Sequence, residues 1–217
     1  DIKAYNDIKR IIAVDNLAGL IENNFNMMYI PLFDIFGGQE RFRLRYKFDN
    51  ANRYICRRED YPFETLDSGY CLQAMKNSRC VIIEAEELGS FVFTDHRHSD
   101  LFLVLQRYFK EADSFVFCGN DEGGYFKILR DGKIRRKIAS FLCMEGIRNN
   151  PETRGKPCEY EIASGHVYKA DMQARHMKDM LPDFTGTEVR ALMDYYIDMS
   201  RFTDENIRRI LIYALSV

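Results

Sequence analysis

Apolar residues recur at helical spacing from the first position, where Ile2, Tyr5, Ile8, Ile11 and Ile12 share one face. Asp15 then stands as the cap of a second short helix carrying Leu17, Leu20 and Ile21. The period changes at 42–48. There Phe42, Leu44, Tyr46 and Phe48 alternate with Arg43, Arg45 and Lys47, which predicts a half-buried strand with one apolar and one cationic face, preceded by a turn at Gly37-Gly38. Ser68 opens a short helix to Met75. Cys80 to Ala85 and Ser90 to Thr94 read as a hairpin around Glu86-Glu87-Leu88-Gly89, and Ser99 caps a helix that aligns Leu101, Val104, Leu105, Tyr108 and Phe109. A buried strand over Ser114 to Cys118 follows.

The strongest local signal is Asp131-Gly132 between the runs Tyr125 to Arg130 and Lys133 to Ser140, because this dipeptide favours the type I′ turn of a two-residue hairpin. Residues 144–158 read as loop. Glu159 to Ala163 and Val167 to Ala170 read as a further strand pair around Ser164-Gly165. Thr187 opens a helix with Val189, Leu192, Met193, Tyr196 and Ile197 on one face, and Thr203, with Asp204 and Glu205 in its first turn, opens a last helix. The expected class is α+β: an antiparallel, hairpin-rich sheet with helices packed on one side and a C-terminal helical pair. The chain 1–217 reads as a single domain, with a boundary at Leu181 to Gly186 that would set off 186–217 as a helical appendage.

Composition narrows the class of partner. The chain has 217 residues, 46% of them hydrophobic and 29% charged, with a net charge of -2, which excludes a disordered, collagenous or coiled-coil chain. The overall charge gives no reason to expect nucleic acid or an anionic membrane as partner. No run reaches the 18 or so apolar residues that a spanning helix needs. Six cysteines form no C-x-x-C pair, and Cys80, Cys118 and Cys143 adjoin apolar runs. They read as buried free thiols in a reduced, cytoplasmic protein, the alternative being three disulfides in a secreted one. The chain begins at Asp1 rather than a methionine, which leaves a removed leader open.

The standard phosphate-binding and nucleophile signatures, G-x-G-x-x-G, G-x-x-x-x-G-K-[ST], G-x-S-x-G, S-x-x-K and H-E-x-x-H, do not occur. This turns the reading away from catalysis and from a resident cofactor. The enzymatic alternative is carried by Thr94-Asp-His-Arg-His-Ser-Asp100. His96 and His98, two apart in extended backbone, would face one side about 6 to 7 Å from each other and reach one zinc ion, with Asp100 as a third ligand. The string resembles the H-x-H-x-D-H loop of the metallo-β-lactamase family, which implies a metal-dependent hydrolase; the pattern departs from that family at Leu101, where a second-metal histidine would stand. The plainer account is a solvated turn whose Ser99 and Asp100 cap the next helix.

A nucleic-acid alternative rests on Arg41, Arg43, Arg45 and Lys47, to which the later hairpin adds Lys127, Arg130, Lys133, Arg135, Arg136 and Lys137. Basic rows of this kind also guard an exposed sheet face against pairing with another chain, and this account is preferred. The leading reading comes from Ser114 to Ser140, followed by Gly155-Lys-Pro-Cys-Glu-Tyr160. Asn120, Asp121 and Glu122, followed by Gly123-Gly124, form an acidic loop suited to a cationic partner, with Tyr125 and Lys127 beside it. The order of strand, G-G-Y, D-G turn, R-R-K-I and G-x-P-x-E resembles bacterial immunity-type domains of unknown function that accompany polymorphic toxins. The resemblance implies a non-enzymatic protein whose partner is another protein, a toxin, and which acts by occluding that partner's surface. The same letters also describe a plain structural hairpin.

Overall fold

The computed structural model describes residues 26–31, 55–58, 79–94, 102, 105–106, 112–120, 123–140, 151–176, 179–202 and 206–216. Nine strands form one sheet: β1 (Asn26–Pro31), β2 (Ile55–Arg58), β3 (Arg79–Ala85), β4 (Gly89–Thr94), β5 (Ser114–Asn120), β6 (Gly123–Arg130), β7 (Lys133–Ala139), β8 (Glu152–Gly155) and β9 (Ile207–Ser216). Their order is β2-β9-β3-β4-β1-β5-β6-β7-β8. Every neighbouring pair is antiparallel. Helices α1 (Glu159–Ser164) and α2 (Gly186–Tyr196), among the described residues, accompany the sheet in keeping with the α+β class read from the sequence.

The period of two sorts the strand side chains to two faces. On the first, Met27, Tyr29, Ile83, Phe91, Phe93, Phe115, Phe117, Phe126, Ile128 and Ile138 are buried in one cluster with Val189, Leu192 and Met193 of α2. Tyr29 lies in register with Phe91 on β4 and Phe115 on β5, with ring centroids 4.9 and 6.1 Å away. Its hydroxyl donates to the Leu88 carbonyl at 2.6 Å, and burial pushes its pKa up to about 12, so it remains a donor at neutral pH. Tyr29→Phe keeps the ring and strands that carbonyl; a loss of about 1 to 2 kcal/mol is expected in urea unfolding, and no loss would show that the Leu88 carbonyl has another partner.

The second face is buried as well: Met28, Ile30, Ile82, Val92, Val116, Tyr125 and Leu129 are all enclosed. At three described positions of the helix read after Ser99, Phe102, Leu105 and Gln106 are helical and buried, and the Gln106 amide donates to Ser114 Oγ at 3.3 Å. Burial on both faces is thus shown for the central strands.

Three sequence readings change. The last helix, opened at Thr203, is instead β9, inserted between β2 and β3. Ile207, Ile210, Leu211 and Ala214 fit a helical period as well as the β-branched run fits a strand, and long-range pairing decides between them. The C-terminal pair is therefore one helix and one strand, the strand lying inside the sheet. Glu159 to Ala163 is helix α1, not a strand, and Val167 to Ala170 forms none. Ser164-Gly165, read as a hairpin turn, is a helix end: Gly165 has φ +70° and its N–H donates to the Ile162 carbonyl. The loop read over 144–158 contains β8. The elements read at 1–25, 42–48 and 68–75 lie outside the described residues, whereas β1 and β2 carry no signal that the sequence reading used.

Candidate functional site

The site grows from the β6–β7 hairpin. Asp131 and Gly132 have φ of +52° and +66°, the pair of left-handed residues a type I′ turn requires. The register then shifts: Leu129 faces Ile134 but Ile128 faces Arg136, so Arg135 is an extra residue in β7. This bulge decides where the cations go. Ile134 and Arg136 would share a face in a regular strand; the inserted residue turns Arg136 to the first face, alongside Ile128 and Ile138.

Arg136 is consequently 4% exposed and meets Glu161 of α1, which is fully buried. Its Nε donates to Glu161 Oε2 at 2.7 Å and its Nη2 to Oε1 at 2.5 Å. Nη2 also donates to the Tyr168 carbonyl and Nη1 to the Gly155 carbonyl. The carboxylate further accepts from the N–H groups of Cys158 at 2.9 Å and Tyr168 at 3.0 Å. A buried pair repays its desolvation only when the remaining donors and lone pairs are satisfied, and here four of the five guanidinium N–H groups and both carboxylate oxygens are. One ion pair thereby ties β7, the end of β8, the start of α1 and the segment at Tyr168. Glu161 escaped the sequence reading; the three-residue spacing from Cys158 to Glu161, a capping box with Cys at the cap, was the signal for it.

Three other hairpin cations are paired locally. Arg130 lies 3.5 Å from both Asp113 and Glu159, Arg135 3.4 Å from Asp131, and Lys137 2.6 Å from Glu152. They do not form one basic face. Lys127 and Tyr125, read as contact residues, are corrected by the structure: Tyr125 is fully buried and Lys127 is 2% exposed on the second face. Lys127 and Lys137 stand in register there, with ammonium groups 5.9 and 5.5 Å from the Tyr125 ring centre.

Gly123 and Gly124, read as a flexible loop, are strand residues. Asn120 pairs with Gly123 and Gly119 with Gly124. The glycines allow close approach to the start of α2: a Cβ on Gly119 would stand 2.5 Å from Gly186 Cα, and one on Gly124 2.9 Å from the Thr185 carbonyl oxygen. Ser140 Oγ accepts from the Gly124 N–H at 2.6 Å and closes the other side. The start of α2 is itself capped, because Glu188 accepts from the Thr185 N–H and hydroxyl. The strand ends at Gly119-Asn120 and Gly123-Gly124 are thus closely packed, while Asp121 and Glu122 lie outside the described residues. So do His96, His98 and Asp100, and Arg41, Arg43, Arg45 and Lys47.

At the opposite end of β5 and β6, α1 and the last turn of α2 bring three tyrosines together. Tyr160 and Tyr195 meet edge to face at 5.6 Å, and Tyr195 meets Tyr196 at 5.1 Å. Tyr196 turns inward, its ring 4.8 Å from that of Phe115, and its hydroxyl donates to Glu159 Oε2 at 2.8 Å. Its own N–H, the Tyr196 hydroxyl and Arg130 hold the Glu159 carboxyl below its usual range, whereas burial pushes the Tyr196 hydroxyl and Cys158 thiol up.

Among the described residues, no group of three or more His, Cys, Asp and Glu is placed to hold a metal ion, and no helix is long and apolar enough to cross a membrane. No protein-family model, curated protein or solved structure matches the chain.

Proposed function

We propose that the chain is a non-enzymatic protein-binding module of immunity type, acting in the cytoplasm by covering a surface of a partner protein, a toxin. The observation that carries this reading is the physical unity of the segments that resemble immunity-type domains. The R-R-K-I strand and the G-x-P-x-E segment are apart in sequence yet joined directly, Arg136 pairing with Gly155 across β7 and β8 and donating from Nη1 to the Gly155 carbonyl at 3.2 Å. The resemblance therefore spans one built unit.

The contact is assigned to Asn120, Asp121 and Glu122 at the β5–β6 connection rather than to the faces of the central strands, which are buried over 27–30 of β1, 89–93 of β4 and 123–129 of β6. The carboxylates of Asp121 and Glu122 would speed encounter with a cationic surface. Capture with the full chain from lysate of its source cells is expected to retain one protein at fixed stoichiometry, and added chain is expected to lower that protein's own activity. Turnover of a small substrate with no protein retained would overturn the reading. The double variant Asp121→Asn/Glu122→Gln is expected to bind the captured partner about tenfold more weakly at low salt, mainly through a slower on-rate; unchanged kinetics would remove the turn from the interface.

A further inference from the structure

β8 ends the sheet, and one of its edges is paired, to β7. Which of its backbone groups face outward follows from the ladder. The Ser140 N–H donates to the Gly124 carbonyl directly across from it, so Ile138 and Arg136, at alternate positions of β7, bond to β6, while Lys137 and Ala139 turn their backbone groups to Arg154 and Glu152 of β8. Thr153, between those two, therefore directs its N–H and C=O away from the sheet. Among the described residues no hydrogen bond reaches either group, and Thr153 is engaged through Oγ1, which accepts from the Ala170 N–H at 3.3 Å. The Gly155 carbonyl, next along the strand on that side, is already taken by Arg136 Nη1. The open edge is thus centred on Thr153. Its two neighbours carry opposite charges. Glu152 and Arg154 are exposed and, across from Ala139 and Lys137 in register, stand on the second face. Arg154 has no ion pair among the described residues, and the residue across from it is another cation. Lys137 takes Glu152 Oε1 at 2.6 Å, and Oε2 of that carboxylate has no partner among the described residues.

We infer that β8 pairs with the β8 of a second copy of this chain, antiparallel about a two-fold axis at Thr153, so that two nine-stranded sheets join edge to edge. The strand is its own complement in this register. Each Thr153 gives its N–H to the carbonyl of the other. The flanking positions are then non-hydrogen-bonded pairs, in which side chains approach most closely, and they set Glu152 of each copy against Arg154 of the other with Cβ atoms about 4.5 to 5.5 Å apart. Each carboxylate bridges the Lys137 of its own chain and the Arg154 of the other. Sliding the register by two residues, the smallest step that keeps the faces matched, would set Arg154 against Arg154 or Glu152 against Glu152, so charge selects one alignment. Charged, short edge strands ordinarily hold sheets apart; the order Glu-Thr-Arg makes the same charges attract when the strand meets itself reversed. This inference does not depend on the β5–β6 turn or on the protein-binding reading above.

Sedimentation equilibrium of the full chain at low salt is expected to show monomers in exchange with dimers. Arg154→Glu places an anion across from Lys137 and so suits the fold, yet it is expected to weaken association about tenfold, because both facing pairs become like-charged. Glu152→Arg should do the same with the opposite sign. An equimolar mixture of the two variants makes every facing pair opposite in charge, and association is expected to return as a dimer of one variant with the other. A variant that had merely misfolded would not be rescued in this way. An unaltered chain that stays monomeric at about 1 mM, a dimer indifferent to Arg154→Glu, or a mixture that fails to recover would overturn the inference. If the chain is monomeric and Arg154→Glu instead weakens retention of the captured protein, the edge of β8 receives a strand of that protein and not of a second copy.

Discussion

Glu161→Leu is expected to lower the stability of the protein by about 3 to 5 kcal/mol, because it removes the anion and leaves the Arg136 guanidinium buried and uncompensated. For a chain of this size, that corresponds to roughly a 10 °C fall in the unfolding midpoint. The loss has three parts in the structure: the two-pronged contact with Arg136, the hydrogen bond from the Cys158 N–H that closes the start of α1, and the one from the Tyr168 N–H. The double variant Arg136→Met/Glu161→Leu removes both charges and keeps apolar bulk. It should recover much of the loss, although the orphaned Cys158 and Tyr168 N–H groups keep it below the unaltered chain. Thermal and urea unfolding of the four proteins in the cycle measure the coupling directly. A Glu161→Leu protein within about 1 kcal/mol of the original would show that the pair is not what joins hairpin and helix.

The hairpins around Glu86-Glu87-Leu88 and Asp131-Gly132 were legible because turn chemistry and alternation act within a few residues. The core face of α2 was legible for the same reason, its buried Val189, Leu192 and Met193 following a helical period. What misled was information that does not reside in the local string. β9 is a strand because β2 and β3 leave a gap between them for it. Glu-Tyr-Glu-Ile at 159–162 alternates like a strand, yet it is helical, with the second glutamate drawn inward by a cation 25 residues away. The site suffered most from one inserted residue. Counting by twos from Ile134 puts Arg136 on the opposite face from the one it occupies, and the bulge at Arg135 has no signature in a row of basic letters. Tyr125 and Lys127 were placed on a surface for a related reason: nothing in β6 itself announces that both of its faces are covered.

Two glycines with nearly the same backbone should respond very differently to alanine. Gly155, at the end of β8, has φ +86°, and Gly165, after α1, has φ +70°. Both pay the left-handed penalty of an L side chain, about 1 kcal/mol. Gly165 pays no more, since no atom lies within 4 Å of the position a Cβ would take. At Gly155 the Cβ would run into the Arg135 carbonyl oxygen and come 2.8 Å from its carbon, backbone atoms of the bulge that cannot swing aside as a side chain would. The Gly155 carbonyl also accepts from Arg136 Nη1 at 3.2 Å, so a shift that relieves the clash pulls on the buried ion pair. Gly155→Ala is therefore expected to cost about 3 kcal/mol or more and Gly165→Ala about 1 kcal/mol, read as midpoints in urea. In a Glu161→Leu/Arg136→Met background the cost at Gly155 should shrink, because the strand end is then free to move, while the cost at Gly165 stays the same. Equal costs at the two glycines, or a cost at Gly155 indifferent to the ion pair, would mean that β8 is held against β7 by its ladder alone.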